Sequence, residues 1–164
     1  MKIDRRSILF ICLGNICRSP AAEGIMKKMA ADRGLSDRLY IDSAGIGSWH
    51  VGQLPDARMR RHGEMHGYSF DSRARQFKTE DFDQFDNIAV MDHENYGDVA
   101  AKARNRGDRE RIICMADYLR HHPYNKTVPD PYYGGDRDFE LVIELLEDAC
   151  EGLLDKLEKE VGHN

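Results

Sequence analysis

Apolar residues in this chain alternate between short dense runs and longer stretches with helical spacing. Ser7–Cys12 (SILFIC) reads as a strand buried on both faces. Pro20–Gly34 reads as a helix, with Ser19 and Pro20 at its start and Ile25, Met26 and Met29 on one side. A second strand is expected at Tyr40–Ala44, a second helix at Pro55–His66 and a third strand at Asn87–Met91. One helix is expected from Asp92 to Asn105, then a fourth strand at Arg111–Cys114 and a long last helix over Asp138–Glu160. Leu141, Leu145, Leu146, Ala149, Leu153 and Leu157 recur along that helix as a stripe suited to core packing. Alternating strands and helices predict an α/β fold, a parallel sheet with helices on both faces. In such sheets ligands bind beyond the carboxyl ends of the strands. The turn after the first strand is therefore the first place to look for chemistry.

Bulk properties narrow the picture. A chain of 164 residues fits one domain, 1–164, with its own core. A hydrophobic fraction of 41% with 32% charged residues fits a folded globular protein. The net charge of −5 argues against nucleic acid or membrane as partner, and an anionic substrate then needs a locally positive pocket. No apolar run is long enough to span a bilayer, and no small-residue cleavage site follows Ile8–Leu13, so no signal peptide is expected. The cysteines at 12, 17, 114 and 150 lack disulfide-scaffold spacing, which points to reduced thiols and a cytoplasmic protein. Cys114 and Cys150 are expected to be buried and inert. His62 and His66 lie four apart, but the string is HGEMH rather than HExxH, so they are expected at the surface and no metal is predicted. His121–His122 and the mixed charges from Arg104 to Arg111 read as solvated connections.

The turn after the first strand reads Cys12-Leu13-Gly14-Asn15-Ile16-Cys17-Arg18-Ser19-Pro20. It runs from a buried strand into a helix N-terminus, where unpaired N–H groups and the helix dipole favour anions. Gly14 and Asn15 tolerate left-handed backbone angles, so residues 13 to 19 can curl into a nest of amides around one tetrahedral oxyanion. Arg18 is suited to two-point phosphate binding. The same helix terminus and guanidinium favour the Cys12 thiolate, and Ser19 can donate to its sulfur. A thiolate facing a bound phosphorus is an activated nucleophile. A lone cysteine at a strand end is usually packing; here the surrounding loop speaks for chemistry. Neither a GxxxxGK[ST] nucleotide loop nor a CxxC redox pair is present at these residues.

With these residues the sequence resembles the low molecular weight protein tyrosine phosphatases over nearly its whole length. The likeness rests on CLGNICRSP (Cys12–Pro20), SAGIGSW (Ser43–Trp49), FDQFDNIAVMD (Phe82–Asp92) and DPYYGG (Asp130–Gly135). It implies a three-layer fold with a four-stranded parallel sheet, no cofactor, phosphotyrosine-containing proteins or peptides as partners, and inorganic phosphate as product. It implies Cys12 as nucleophile, Arg18 as phosphate clamp and Asp130 as general acid, with Asn15 and Ser43 in a network bracing the loop. The prolines on either side of Asp130 stiffen the segment that carries it. Asp92, at the carboxyl end of the third strand, is a candidate supporting residue. Trp49, Tyr132 and Tyr133 read as the aromatic rim of a slot for a phenyl ring.

Rival activities were weighed on particular residues. Related arsenate reductases use extra cysteines in a mobile segment, and Phe77 to Ala103 has none. Phosphoarginine phosphatases carry threonine where this chain has Ile16, whose apolar branch favours an aryl substrate. A noncatalytic phosphotyrosine-binding module would lack Cys12 or Asp130, and both are present. Cys17, in the same tight loop, is expected to resolve an oxidised Cys12 as a disulfide. The oligomeric state is not legible.

Overall fold

A computed structural model describes residues 4–162. Along the chain run β1 (Arg6–Cys12), α1 (Arg18–Asp32), β2 (Leu39–Gly45), α2 (Ala57–Met65), α3 (Asp81–Gln84), β3 (Asn87–Val90), α4 (His93–Ala100), α5 (Arg106–Glu110), β4 (Ile112–Cys114), a 3₁₀ turn at Met115–Tyr118 and α6 (Asp136–Val161). The described residues form one four-stranded sheet of order β2-β1-β3-β4, and every pairing is parallel.

β1 explains why the sheet has two covered faces. Ile8, Phe10 and Cys12 point into a core shared with α1 and α6, whereas Leu9 and Ile11 point into a second core with Phe82, Phe85 and Val99. Each of these apolar side chains contributes roughly 1.5–3 kcal/mol by leaving water. The result is three layers: α1, α2 and α6, then the sheet, then α3, α4 and α5. β1 pairs with β2 on one side and β3 on the other. The chain therefore reverses direction across the sheet beside β1, which opens a crevice at its carboxyl end. Cys12 is the last residue of β1 and stands at that crevice. Among the described residues no helix is long and apolar enough to cross a membrane.

The structure corrects several expectations. The helix expected over Asp92–Asn105 ends early, at Ala100, and Asn105 opens a separate short helix, α5; Asp92 and Asn105 are the two N-caps. Asp92 accepts from the Asn95 N–H at 2.7 Å, and Asn105 accepts from the Asp108 N–H at 2.8 Å. The stretch from Arg104 to Arg111 is thus largely α5, with the Arg104 guanidinium between Asp83 (2.6 Å) and Asp108 (2.8 Å). α1 begins two residues early, so Pro20 is its third residue, and α6 begins at Asp136 rather than Asp138. Cys150 is buried, but Cys114 is half-buried. His122 is half-buried and sits between Asp148 (3.0 Å) and Glu144 (3.1 Å), not free in solvent.

His62 is the larger misreading. It is buried, stacked on Phe139, with Nδ1 2.7 Å from Glu140 and Nε2 3.0 Å from Asp136, so it clamps α2 to the first turns of α6. His66 is exposed, as expected, and pairs with Glu140 at 2.6 Å. Burial alone would lower the His62 pKa, but the bonds to Glu140 and Asp136 outweigh it and raise it above 6.5. Those bonds in turn lower the pKa of both carboxylates. The cluster's stabilisation is therefore complete between the two ranges. It fades as pH rises from 6.5 through the raised histidine value, and as pH falls through the lowered carboxylate values. Replacing His62 by Gln should cost about 1–2 kcal/mol near neutrality. The melting-temperature gap between wild type and His62→Gln should close on both flanks; a gap constant with pH would show that the cluster's charge contributes nothing.

Candidate active site

The loop from Cys12 to Ser19 is shaped by Asn15, the only non-glycine residue with positive φ (58°) among those described. That conformation costs an L-residue about 1–3 kcal/mol unless its surroundings hold it. Here they do. Asn15 Nδ2 donates to Ser19 Oγ (2.7 Å) and Ser43 Oγ (3.0 Å), and its Oδ1 accepts from the Arg75 N–H (3.0 Å). Ser43 Oγ donates to Glu23 Oε1 at 2.6 Å, and Lys27 meets the other carboxylate oxygen at 2.6 Å. The loop's carbonyls are taken up from outside: Ile46 N–H donates to Cys12 O (3.0 Å), Gly47 N–H to Leu13 O (2.9 Å) and Asp56 N–H to Ile16 O (2.8 Å). Such a loop keeps its amides for an anion.

Ser19 Oγ lies 3.0 Å from Cys12 Sγ, so the brace that fixes Asn15 also touches the sulfur. Arg18 is buried, and its Nη1 donates to Asp92 Oδ2 (2.6 Å) and to Val128 O (3.0 Å). Its Nη2 is 3.7 Å from Asp130 Oδ2. Burial pulls the guanidinium pKa down, but Cys12, Asp92 and Asp130 more than offset this and hold it above its ordinary value. A buried cation that a sulfur and two carboxylates keep charged is a fixed electrophilic clamp.

A cleft of about 320 Å³ opens over these groups, lined by Cys12, Leu13, Gly14, Ile16, Cys17, Arg18, Trp49, His50, Asp130, Tyr132 and Tyr133. The residues read from the sequence as nucleophile, clamp, acid and rim are thus brought together. Asn15, Ser19 and Ser43 stand behind the cleft as the brace. Trp49 is 68% exposed and Tyr133 96%, so the rim is open to solvent, while Tyr132 is more sheltered and packs edge-on against Tyr133. Asp92 does not line the cleft and stands behind it as the partner of Arg18. Burial, then Asp56 and Cys12, push the Cys17 thiol pKa far up. That works against a fast resolving role, since the thiolate is the attacking form. Sequence reasoning missed His50, Glu23, Arg75, Asp56 and Arg58. The only available signal was for His50, next to Trp49 in a glycine-rich segment. Among the described residues no group of three or more His, Cys, Asp or Glu side chains is arranged to hold a metal ion.

Comparison with known proteins gives a consistent result. A family model described as "Low molecular weight phosphotyrosine protein phosphatase" matches residues 7–163. A putative low molecular weight protein-tyrosine-phosphatase of Synechocystis sp. is 47% identical, covering 94% of this chain and 98% of that one. The low molecular weight phosphotyrosine protein phosphatase of Sus scrofa is 39% identical over 93% of this chain and 96% of its own. A crystal structure of a protein tyrosine phosphatase from Entamoeba histolytica superposes with a TM-score of 0.91 at 45% identity, covering 94% of this chain and 97% of that one.

Gly45 tests whether the loop's shape matters. A Cβ there would lie 2.9 Å from the Gly14 carbonyl carbon and 3.0 Å from Asn15 N, both backbone atoms that cannot swing aside. Gly45→Ala should therefore push the loop outward, at a cost of about 1–3 kcal/mol. Inorganic phosphate should bind about tenfold more weakly, because amides 0.5 Å or so out of place no longer converge. Calorimetric titration with phosphate checks this; unchanged affinity would mean that the loop tolerates displacement.

Proposed function

The chain belongs to the low molecular weight phosphotyrosine protein phosphatase family, and on that premise we propose that its catalysis runs through Cys12, Arg18 and Asp130. It is a protein tyrosine phosphatase. Its substrates are phosphotyrosine-containing chains and its product is inorganic phosphate. The observation that carries the residue assignment is the meeting of three groups in one cleft. Cys12 sulfur lies against Ser19 Oγ, Arg18 is locked beside it, and Asp130 lies 3.7 Å from that guanidinium.

In the first half of the cycle the Cys12 thiolate attacks phosphorus in line. A sulfur–phosphorus bond forms, the phosphorus–phenol oxygen bond breaks, and Asp130 gives its proton to the departing oxygen. In the second half water attacks the phosphocysteine and passes a proton to the Asp130 carboxylate. The sulfur–phosphorus bond breaks and phosphate leaves. In both halves Arg18 and the loop amides hold the equatorial oxygens as their charge grows. Asp92 keeps Arg18 in the plane needed for two-point contact. Ile16, buried in the cleft wall, and the rim of Trp49, Tyr132 and Tyr133 favour a flat aryl group over a guanidino phosphate. Residues 1–164 act as a single phosphatase domain in the cytoplasm.

Cys12→Ser should abolish turnover of an aryl phosphate, and Arg18→Lys should retain well under a hundredth of it, because an ammonium cannot make the planar contact. Steady-state assays at saturating substrate decide the matter. Near-normal rates in either variant would remove that residue from its role.

Asp130→Asn should slow hydrolysis of phosphotyrosine, whose phenol has a pKa of about 10, by about a hundredfold or more. Esters of far more acidic phenols, which leave without a proton, should lose much less. A loss of equal size across the series would take Asp130 out of the acid role.

A further inference from the structure

Asp130 sits in the stretch 119–135, where neither strand nor α-helix fixes the backbone. Such a segment positions an acid only if it is anchored on both sides. The anchor before Asp130 is Val128, whose N–H donates to Met91 O (2.8 Å) and whose carbonyl accepts from Arg18 Nη1 (3.0 Å). The anchor after it is Tyr132. Arg58 Nη2 donates to Tyr132 O at 2.9 Å, and the guanidinium lies 5.5 Å from the centre of the Tyr132 ring. Tyr132 in turn donates its N–H to Asp130 Oδ1 at 3.1 Å.

Arg58 is itself held on two further sides. Its Nε and Nη2 meet the Asp56 carboxylate at 3.1 and 3.0 Å, and its guanidinium lies 4.6 Å from the centre of the buried Phe139 ring. Asp56 is the N-cap of α2 and accepts from the Arg58 N–H at 2.8 Å. The Asp56 N–H donates to Ile16 O, inside the phosphate loop, at 2.8 Å. An unbroken path of hydrogen bonds thus runs from the loop that carries Cys12, through Asp56 and Arg58, to the segment that carries Asp130. His62, bonded to Asp136, likewise fixes α2 to the start of α6 just past that segment.

We propose that Arg58 is a positioning residue for Asp130. With Asp56 it ties the acid's segment to the nucleophile's loop and sets the reach between carboxyl and sulfur. Arg58 does not line the cleft, and it reaches Asp130 through Tyr132. The proposal rests on the acid role given to Asp130 above. It is a claim about distance. General acid catalysis needs the proton within hydrogen-bond reach of the leaving oxygen, and a misplacement of about 1 Å costs on the order of a hundredfold. Freed on one side, the segment keeps its Val128 anchor, so a partial loss is expected.

The experiment measures kcat/KM over a series of aryl phosphates, from strongly acidic phenols to phosphotyrosine, for wild type, Arg58→Met, Asp130→Asn and the double variant. Methionine keeps an apolar stem over Phe139 and removes the guanidinium, both its donors and its charge. Arg58→Met should lower kcat/KM for phosphotyrosine by about tenfold, the most acidic ester by no more than about twofold, and leave the inhibition constant of inorganic phosphate within about twofold. Arg58→Lys, which can still donate to Tyr132 O, should recover part of the loss. In the Asp130→Asn background Arg58→Met should change phosphotyrosine hydrolysis by less than about twofold, because there is no longer an acid to position. A loss of equal size across the series, a weakened phosphate constant, or losses that multiply in the double variant would overturn the proposal. If Asp130→Asn shows the leaving-group dependence and Arg58→Met does not, only the positioning role fails. If Asp130→Asn shows none, the acid assignment fails and takes the positioning role with it.

Discussion

The cleft depends on one backbone angle, the φ of 58° at Asn15. An L-residue rests there only when its neighbours over-determine it. Its side-chain amide is satisfied at both ends, by two serine hydroxyls and by the Arg75 N–H, and those partners come from α1, β2 and the segment after α2. The loop's curvature is thus written into three separate parts of the fold. The same serine that bonds Asn15 touches the sulfur, so loop shape and nucleophile environment cannot vary independently. A buried glutamate and a surface lysine end this chain of bonds, which leaves no buried polar side-chain atom of the described residues without a partner.

The protein is acidic, and the groups flanking its clamp, Asp92 and Asp130, are acidic too. The proposed anion site does not rest on a positive surface. It rests on one buried guanidinium and on oriented amides at the start of α1, whose effect is short-ranged and barely screened inside the cleft. Long-range attraction of phosphate groups in general is weak under this arrangement, and selectivity falls to the local fit of loop and rim.

How much of this was legible in the sequence follows from how local each feature is. Cys12 to Ser19 is one contiguous run between a strand and a helix, so its place at the cleft could be read directly. Asp130 could be assigned only through a family likeness, because nothing in local spacing brings it to Cys12. Asp56, Arg58, Glu23 and Arg75 look like ordinary surface charges until tertiary pairing shows their partners. His62 was misread for the same reason: the carboxylates that make its burial tolerable lie on α6. The early end of the helix that starts after Asp92 was legible in principle, since Asn105 is a residue type that favours an N-cap and so a new helix, but periodicity alone runs through such breaks.

The cleft draws residues from the end of β1 and the loop after it, from the first residue of α1, from the segment after β2 and from the segment before α6. The chain leaves the ribosome amino end first, so Cys12 emerges well before Asp130. Until then Cys12 stands at the end of an unfinished sheet, without Asp92 and Val128 to hold Arg18 and without Asp130 beside it. The cleft is complete only once the segment before α6 has come into place, so a truncated or stalled product carries Cys12 without the cleft around it.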